Sequence, residues 1–239
     1  MKLNYFSLFI QLLIGFGLYS LFDYYNITRF FTIALLVVVV IIVVFNVLKA
    51  KNREMYLEVL CNPTVYLEKL EPLQYRSNVV NEYQLSLAYA YIYKGEYDLA
   101  QTHVEQVVFE DIKDKDKYFP IYIRVQAKIA YEQQNEQVIQ DIILKLEQEE
   151  SHEMLITYCK ILLVLLQEQY EETIKLLVEF IPTQVKRVLL IELEYYLGFA
   201  YTMTNQLDDA KAVLAFVVKK GFHVVYTDLA YEMHRKLEE

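Results

Sequence analysis

Glycine, cysteine and histidine are all scarce in this 239-residue chain, which has 5, 2 and 4 of them. So few glycines provide no glycine-rich loop of the kind that cradles phosphate groups. The two cysteines, Cys61 and Cys159, are too few for a secreted disulfide scaffold. Both fall in apolar patterns, so we expect buried free thiols. No cysteine and histidine stand at metal-ligand spacing, and we predict no metal and no cofactor.

Motifs of catalysis are also missing. His152 and Glu153 begin like a zinc-protease helix, but Ile156 stands where the second histidine ligand would be. No Gly-x-Ser-x-Gly motif is present. Acidic clusters at 147–150 and 171–172 are typical of solvated helix ends rather than of paired catalytic carboxylates. We therefore predict that the chain is not an enzyme.

The net charge of −9 disfavours one class of partner. Nucleic-acid binding needs a clustered basic face that neutralises phosphates, and an acidic chain does not supply one. We predict no nucleic-acid partner.

Long apolar runs are confined to the first fifth of the chain. Residues 3–22 and 30–48 are apolar, and Asp23 and Arg29 are the only charged residues between positions 3 and 48. About 20 apolar residues suffice for a helix to cross the hydrocarbon core of a bilayer. This pattern predicts a transmembrane hairpin over 1–48, with the lipid bilayer as a partner. The alternative is that the first segment is a cleaved signal peptide or lies at the membrane interface.

Basic residues decide the predicted orientation of that hairpin. Lys49, Lys51 and Arg53 follow the second run and Lys2 precedes the first, whereas the connecting loop offers only Arg29. Basic residues favour the cytoplasmic side. We expect a multi-pass plasma-membrane protein with both termini in the cytoplasm, and usage rich in Ile, Lys, Glu and Tyr suggests a bacterial source.

Two later segments, 85–100 and 197–210, repeat one order of residue types. Each has a large residue beside a small one, an aromatic residue three or four positions on, a turn residue that tolerates positive φ, and an alanine on the second helix. The residues that we expect to make the repeat packing are Leu87, Ala88, Tyr91, Gly95, Tyr97 and Ala100, then Leu197, Gly198, Tyr201, Leu207 and Ala210, with Asn205 at the second turn.

This pattern resembles the tetratricopeptide repeat, a helix-turn-helix unit of about 34 residues. Two weaker copies lie between the two clear ones, and no copy has the tryptophan of the family's first helix, since the chain contains none. The spacing predicts a helical lead-in over 49–80 and a repeat domain over 81–239. Within that domain we expect a charged loop at 113–120 and place four copies and a capping helix near 81–112, 121–149, 154–182, 191–222 and 225–237.

The resemblance implies where a partner would bind. In this family the first helices of successive repeats line a concave groove that holds a segment of another protein. The residues that this register places in the groove are Leu85, Tyr89, Ile92, Tyr93, Tyr158, Leu162, Leu165, Tyr195, Phe199 and Met203. The alternative is that these side chains pack against the lead-in or against an adjacent repeat.

The sequence as a whole predicts an all-α protein: two transmembrane helices followed by an α-solenoid of about four repeats with a C-terminal capping helix. We expect a membrane-anchored, non-catalytic scaffold that binds an unidentified protein through its repeats. The alternative is a subunit or assembly factor of a membrane complex whose hairpin takes part in binding.

Overall fold

The computed structural model divides into two compact units, Met1–Arg53 and Glu54–Glu239. In the first unit residues 35 and 37–41 are helical, and their apolar side chains are half exposed. The residues that the structure describes are 35, 37–41, 53–74, 79–148, 152–184 and 186–238.

The predicted plasma-membrane location is corrected by the structure. Crossing the hydrocarbon core takes about 20 apolar residues in one helix. Among the described residues no helix is long and apolar enough to do so. This finding contradicts the predicted multi-pass arrangement with both termini in the cytoplasm. The runs on which it depended, 3–22 and 30–48, lie outside the described residues except for 35 and 37–41.

The all-α prediction is confirmed, because the described residues form helices and no strand. Residues 54–58 are helical, and short 3₁₀ turns occur at Glu71–Leu73, Phe109–Asp111 and Ile181–Thr183. The longer helices are α1 (Pro63–Leu70), α2 (Val80–Lys94), α3 (Tyr97–Val104), α4 (Lys115–Glu132), α5 (Glu136–Gln148), α6 (Glu153–Leu166), α7 (Tyr170–Phe180), α8 (Arg187–Met203), α9 (Leu207–Lys220) and α10 (Val225–Glu238).

Helix α1 lies within the predicted helical lead-in, and its first residues explain why it begins there. The Asn62 side chain accepts a hydrogen bond from the Val65 amide at 3.0 Å, and Pro63 occupies the first helical position. An N-terminal amide lacks an intrahelical partner, so the asparagine satisfies it and proline costs nothing there.

Each pair of helices from α2 to α9 turns at a residue with positive φ. Gly95 and Asn205 take this conformation as predicted, with φ of 79° and 60°. The two weaker copies have the same feature at Gln134 and Glu168, with φ of 54° and 56°. A left-handed residue lets the last carbonyls of the first helix be satisfied before the second helix begins. The turn geometry therefore recurs in all four pairs.

The charged stretch 113–120 is not the predicted loop. Asp114 caps the helix by accepting from the Lys117 amide at 3.3 Å, and α4 already begins at Lys115. Pro120 lies inside α4, in its second turn. The loss of one backbone bond there is offset by a good cap and by the apolar side chains that follow.

The pairs pack in chain order, and the last helix returns to the first pair. Helix α10 lies against α9 and α8 and also reaches α2. At that contact a Cβ on Gly95 would come within 2.9 Å of Val225 Cγ2, and the Tyr93 and Tyr226 ring centroids are 6.2 Å apart. The array, which is consistent with an α-solenoid, thus closes around a common interior.

Candidate functional site

The small residues predicted at close helix contacts lie where expected. Ala88, Ala100 and Ala210 are fully buried. A Cβ on Gly198 would come within 2.8 Å of the Leu214 side chain, so α8 and α9 approach too closely for a larger residue. Leu87 and Leu197 are buried, and Tyr91, Tyr97 and Tyr201 are half-buried. Leu207 departs from the prediction, because it is 39% exposed.

The residues predicted to line an open groove are mostly in the interior. Only three of the ten retain accessible surface, and all three, Tyr195, Phe199 and Met203, lie on α8. The cause is the closure of the array, since α10 and the segment before α1 cover the face that an open solenoid would expose. The buried seven are Leu85, Tyr89, Ile92, Tyr93, Tyr158, Leu162 and Leu165.

A buried carboxylate organises that covered face. Glu192 on α8 is 1% exposed and accepts hydrogen bonds from the hydroxyls of Tyr93 at 3.0 Å, Tyr158 at 2.9 Å and Tyr196 at 3.3 Å. A carboxylate removed from water requires such donors. Three helices, α2, α6 and α8, are joined at this one side chain.

The carboxylate also perturbs the phenols around it. Burial raises the pKa of Tyr93 well above its ordinary value, and the negative charge of Glu192 raises it further. Burial and then the same charge raise the pKa of Tyr158, Tyr196 and Tyr226. These hydroxyls therefore remain protonated donors throughout the physiological range.

A buried lysine completes the interior. Lys128 on α4 pairs with Glu132 at 2.7 Å and donates a hydrogen bond to the Tyr196 hydroxyl. Its ammonium lies over tyrosine rings in the geometry of cation–π contacts. The distances to the ring centroids are 4.4 Å for Tyr131, 5.0 Å for Tyr196, 5.4 Å for Tyr226 and 5.7 Å for Tyr97. We call the side chains of Tyr93, Lys128, Tyr158, Glu192, Tyr196 and Tyr226 the inner cluster.

Sequence reasoning missed both charges of the inner cluster. Glu192 and Lys128 occupy positions that helical periodicity assigns to the buried face of α8 and α4. A charged residue inside an apolar stripe, with a tyrosine four positions later on α8, was the available signal.

One aromatic surface remains accessible at the carboxyl end of α8. Met203 is 52% exposed, Tyr195 and Phe199 are half-buried, and the ring of Tyr170 meets that of Phe199 edge-on at 5.8 Å. We call Tyr170, Tyr195, Phe199 and Met203 the α8 strip. Burial raises the pKa of Tyr195 to about 12, so its hydroxyl is protonated at pH 7.

A second open surface lies beside α4. Helix α3 has 8 residues whereas α5 has 13, and the shorter helix leaves a cleft of ≈ 510 Å³ between them. Val104, Tyr122 and Ile142 line it together with polar side chains such as Gln101 and Lys145. The lining of the cleft is mixed in character, whereas the side chains of the α8 strip are aromatic or apolar.

The described residues show neither a metal site nor an activated cysteine. They include no group of three or more His, Cys, Asp and Glu side chains that could hold a metal ion. Cys61 and Cys159 are buried free thiols, and burial raises their pKa to about 11 and about 12. Because the thiolate is the nucleophile, both cysteines are unreactive at neutral pH.

Comparison with known proteins adds no assignment. No protein-family model matches this chain, and neither a curated protein nor a solved structure does so.

Proposed function

We propose that this protein is a non-catalytic scaffold of the tetratricopeptide-repeat type that binds another protein through the α8 strip. The observation that carries this proposal is the strip itself, three adjacent turns of apolar and aromatic surface on one helix face. Aromatic and methionine side chains are enriched where proteins bind one another.

The recurring turn supports the family part of the proposal. The left-handed residues at 95, 134, 168 and 205 are 39, 34 and 37 residues apart, close to the period of about 34 residues typical of the family. Each turn joins a longer first helix to a second helix that packs on the next first helix. This is the stacking that a solenoid of two-helix repeats requires.

The α8 strip suits a helical or extended partner segment. Tyr195, Phe199 and Met203 are four residues apart, so they form one row along the helix. Row-like apolar anchors bind the matching face of an amphipathic segment. The half-buried rings of Tyr170 and Phe199 are already fixed against each other, which lowers the entropy lost on binding.

Photo-crosslinking tests the docking surface directly. A photoreactive residue is placed at position 203 of the full chain in one sample and at position 231 in the other, because Met203 and Tyr231 are both more than half exposed. We expect the photoreactive residue at position 203 to crosslink one protein in cells. The residue at position 231 should not crosslink that protein.

Substitution then separates the strip from the rest of the chain. Met203→Lys should abolish the crosslinked partner's co-purification with the full chain, and the matched control Tyr231→Lys should retain it, with both variants melting within a few degrees of the wild type. If Met203→Lys retains the partner while changes within 1–48 lose it, the N-terminal segment carries the binding and a complex subunit or assembly factor is the better account.

A further inference from the structure

The segment immediately before α1 covers the other end of the inner face. We call residues 54–60 the plug segment. Glu54 forms an ion pair with Lys117 in the first turn of α4, and Glu58 forms one with Lys186, the residue immediately before α8. Between these two carboxylates Leu57 inserts and is only 1% exposed. The segment thus docks by one apolar anchor flanked by two acidic side chains.

The site beneath the plug segment is electropositive, in a chain whose net charge is −9. Two lysines stand at the amino ends of two helices, where the helix dipole adds partial positive charge. The Lys117 amide is already capped by Asp114, so the lysine side chains are the groups that an acidic occupant would pair with. Carboxylates are the matching groups, and the plug segment supplies one to each helix end. Charge complementarity therefore selects an acidic occupant.

The plug segment fills this site incompletely. A cavity of ≈ 40 Å³ remains beneath it, lined by Glu54, Leu57, Glu58, Tyr66, Ser86 and Tyr89, with the two lysines at its rim. In the described part of the chain, the Tyr89 hydroxyl is fully buried at this cavity beside the Tyr93 phenol and donates to no acceptor. A buried donor left unsatisfied weakens the docked state. A better-fitting occupant would supply the missing acceptor.

The remaining side chains of the plug segment also indicate loose docking. Met55, Val59 and Leu60 are exposed, and both ion pairs are partly open to water, which screens them. Cys61, at the end of the segment, has φ of 49° and accepts one backbone hydrogen bond from His223 at 3.3 Å. Besides Leu57 and the two screened ion pairs, the segment is held by Tyr56, which is partly buried against the core with Lys69 Nζ 5.8 Å from its ring centroid.

We propose that the plug segment is an internal stand-in for a partner helix that carries the pattern Glu-x-x-Leu-Glu, and that such a helix binds this site by displacing it. The partner would place its leucine in the pocket of Leu57 and its two carboxylates on Lys117 and Lys186. This inference goes beyond the α8 strip, because the two surfaces lie at opposite ends of α8, and either can fail without the other.

A peptide in solution tests the displacement. The probe is a fluorescein-labelled peptide with the sequence of residues 53–62 and serine in place of the cysteine, titrated with the full chain and followed by anisotropy. We expect the Leu57→Ala variant to bind it at least tenfold more tightly than the wild type, because the internal competitor has lost its anchor. A peptide with lysine at both glutamate positions should not bind.

Charge reversal distinguishes the proposed site from adventitious binding. In the Leu57→Ala background, Lys117→Glu combined with Lys186→Glu should reject the acidic peptide and accept the lysine-substituted one. Equal affinity of the wild type and Leu57→Ala, or binding that ignores these charges, would overturn the proposal. A dimer of the wild type that the peptide dissociates would also overturn it, because the occupant would then be a second copy of this chain.

The peptide test requires that the Leu57→Ala variant is folded. If Leu57→Ala melts far below the wild type, the doubly substituted Glu54→Gln, Glu58→Gln chain serves instead, since it keeps the leucine and weakens only the screened ion pairs. We expect that variant to bind the acidic peptide more tightly than the wild type does, and no gain in affinity would refute the proposal.

Discussion

The substitution Glu192→Ala should be among the most destabilising single changes in this chain. It removes the acceptor of three buried phenol hydroxyls, at 3.0, 2.9 and 3.3 Å. The Tyr196 hydroxyl can still donate to the Tyr226 hydroxyl at 3.4 Å, so the hydroxyls of Tyr93 and Tyr158 are the ones that lose their acceptor. Each orphaned donor costs roughly 1–3 kcal/mol, which gives an expected loss of about 4 kcal/mol.

The electrostatic part of the loss has the same sign. Lys128 is buried, and burial lowers the pKa of Arg124 while the neighbouring phenols Tyr89, Tyr93 and Tyr158 and then Glu192 raise it, with a net increase. Without the carboxylate both cations are compensated less well, and breaking a buried charge network costs about 3–5 kcal/mol in other proteins. This range overlaps the hydrogen-bond cost and is not additional to it, because both arise from the same contacts.

Denaturant unfolding at pH 7 measures the effect. Glu192→Gln retains a carbonyl acceptor and should lose about 2 kcal/mol, half as much as alanine. The matched control Glu179→Ala removes an exposed carboxylate from α7 and should change the free energy of unfolding by less than about 0.5 kcal/mol. If Glu192→Ala loses under about 1 kcal/mol, the phenols do not depend on this carboxylate and the account of the inner cluster is refuted.

Three further predictions concern packing, the buried lysine and pH. Gly198→Ala should lower stability by about 1–3 kcal/mol in denaturant unfolding, because its Cβ would crowd Leu214, and an unchanged midpoint would contradict the close approach of α8 and α9. Lys128→Ala should leave a space ringed by tyrosines, so that methylammonium chloride raises its Tm by about 2 °C relative to sodium chloride but leaves the wild type unchanged. Burial raises the pKa of Glu194, so the carboxylate favours folding when protonated and that contribution is lost as pH rises through the folded pKa. Glu194→Gln should therefore stabilise the chain by under about 1 kcal/mol at pH 7 and have no effect below pH 4 by thermal melts, whereas a stabilisation equal at both pH values would refute the assigned cause.

The burial of the inner cluster could not be predicted from the sequence. Periodicity placed Tyr93 and Tyr158 on the helix faces that we expected to line the groove, and both side chains are buried in the structure. It could not decide whether those faces were open or covered, because an aromatic stripe looks the same in a groove and in a core. The alternative that these residues pack inside the array describes the structure better than the open groove.

The location prediction failed for a different reason. Apolar runs at 3–22 and 30–48 satisfied the length criterion for spans, yet no helix among the described residues meets that criterion. Both runs lie outside the described residues except for 35 and 37–41, so composition was the only basis for the predicted spans.

Local chemistry in the sequence determined the helices, their turns and their close contacts. Gly95 and Asn205 end their helices because they accept positive φ, and Gly198 marks a helix contact that admits no side chain. Only the tertiary structure decided that the array closes, that Glu192 and Lys128 are buried within it, and that residues 54–60 cover one end. The physical reason is that closure depends on small rotations accumulated from one repeat to the next, which no local pattern encodes.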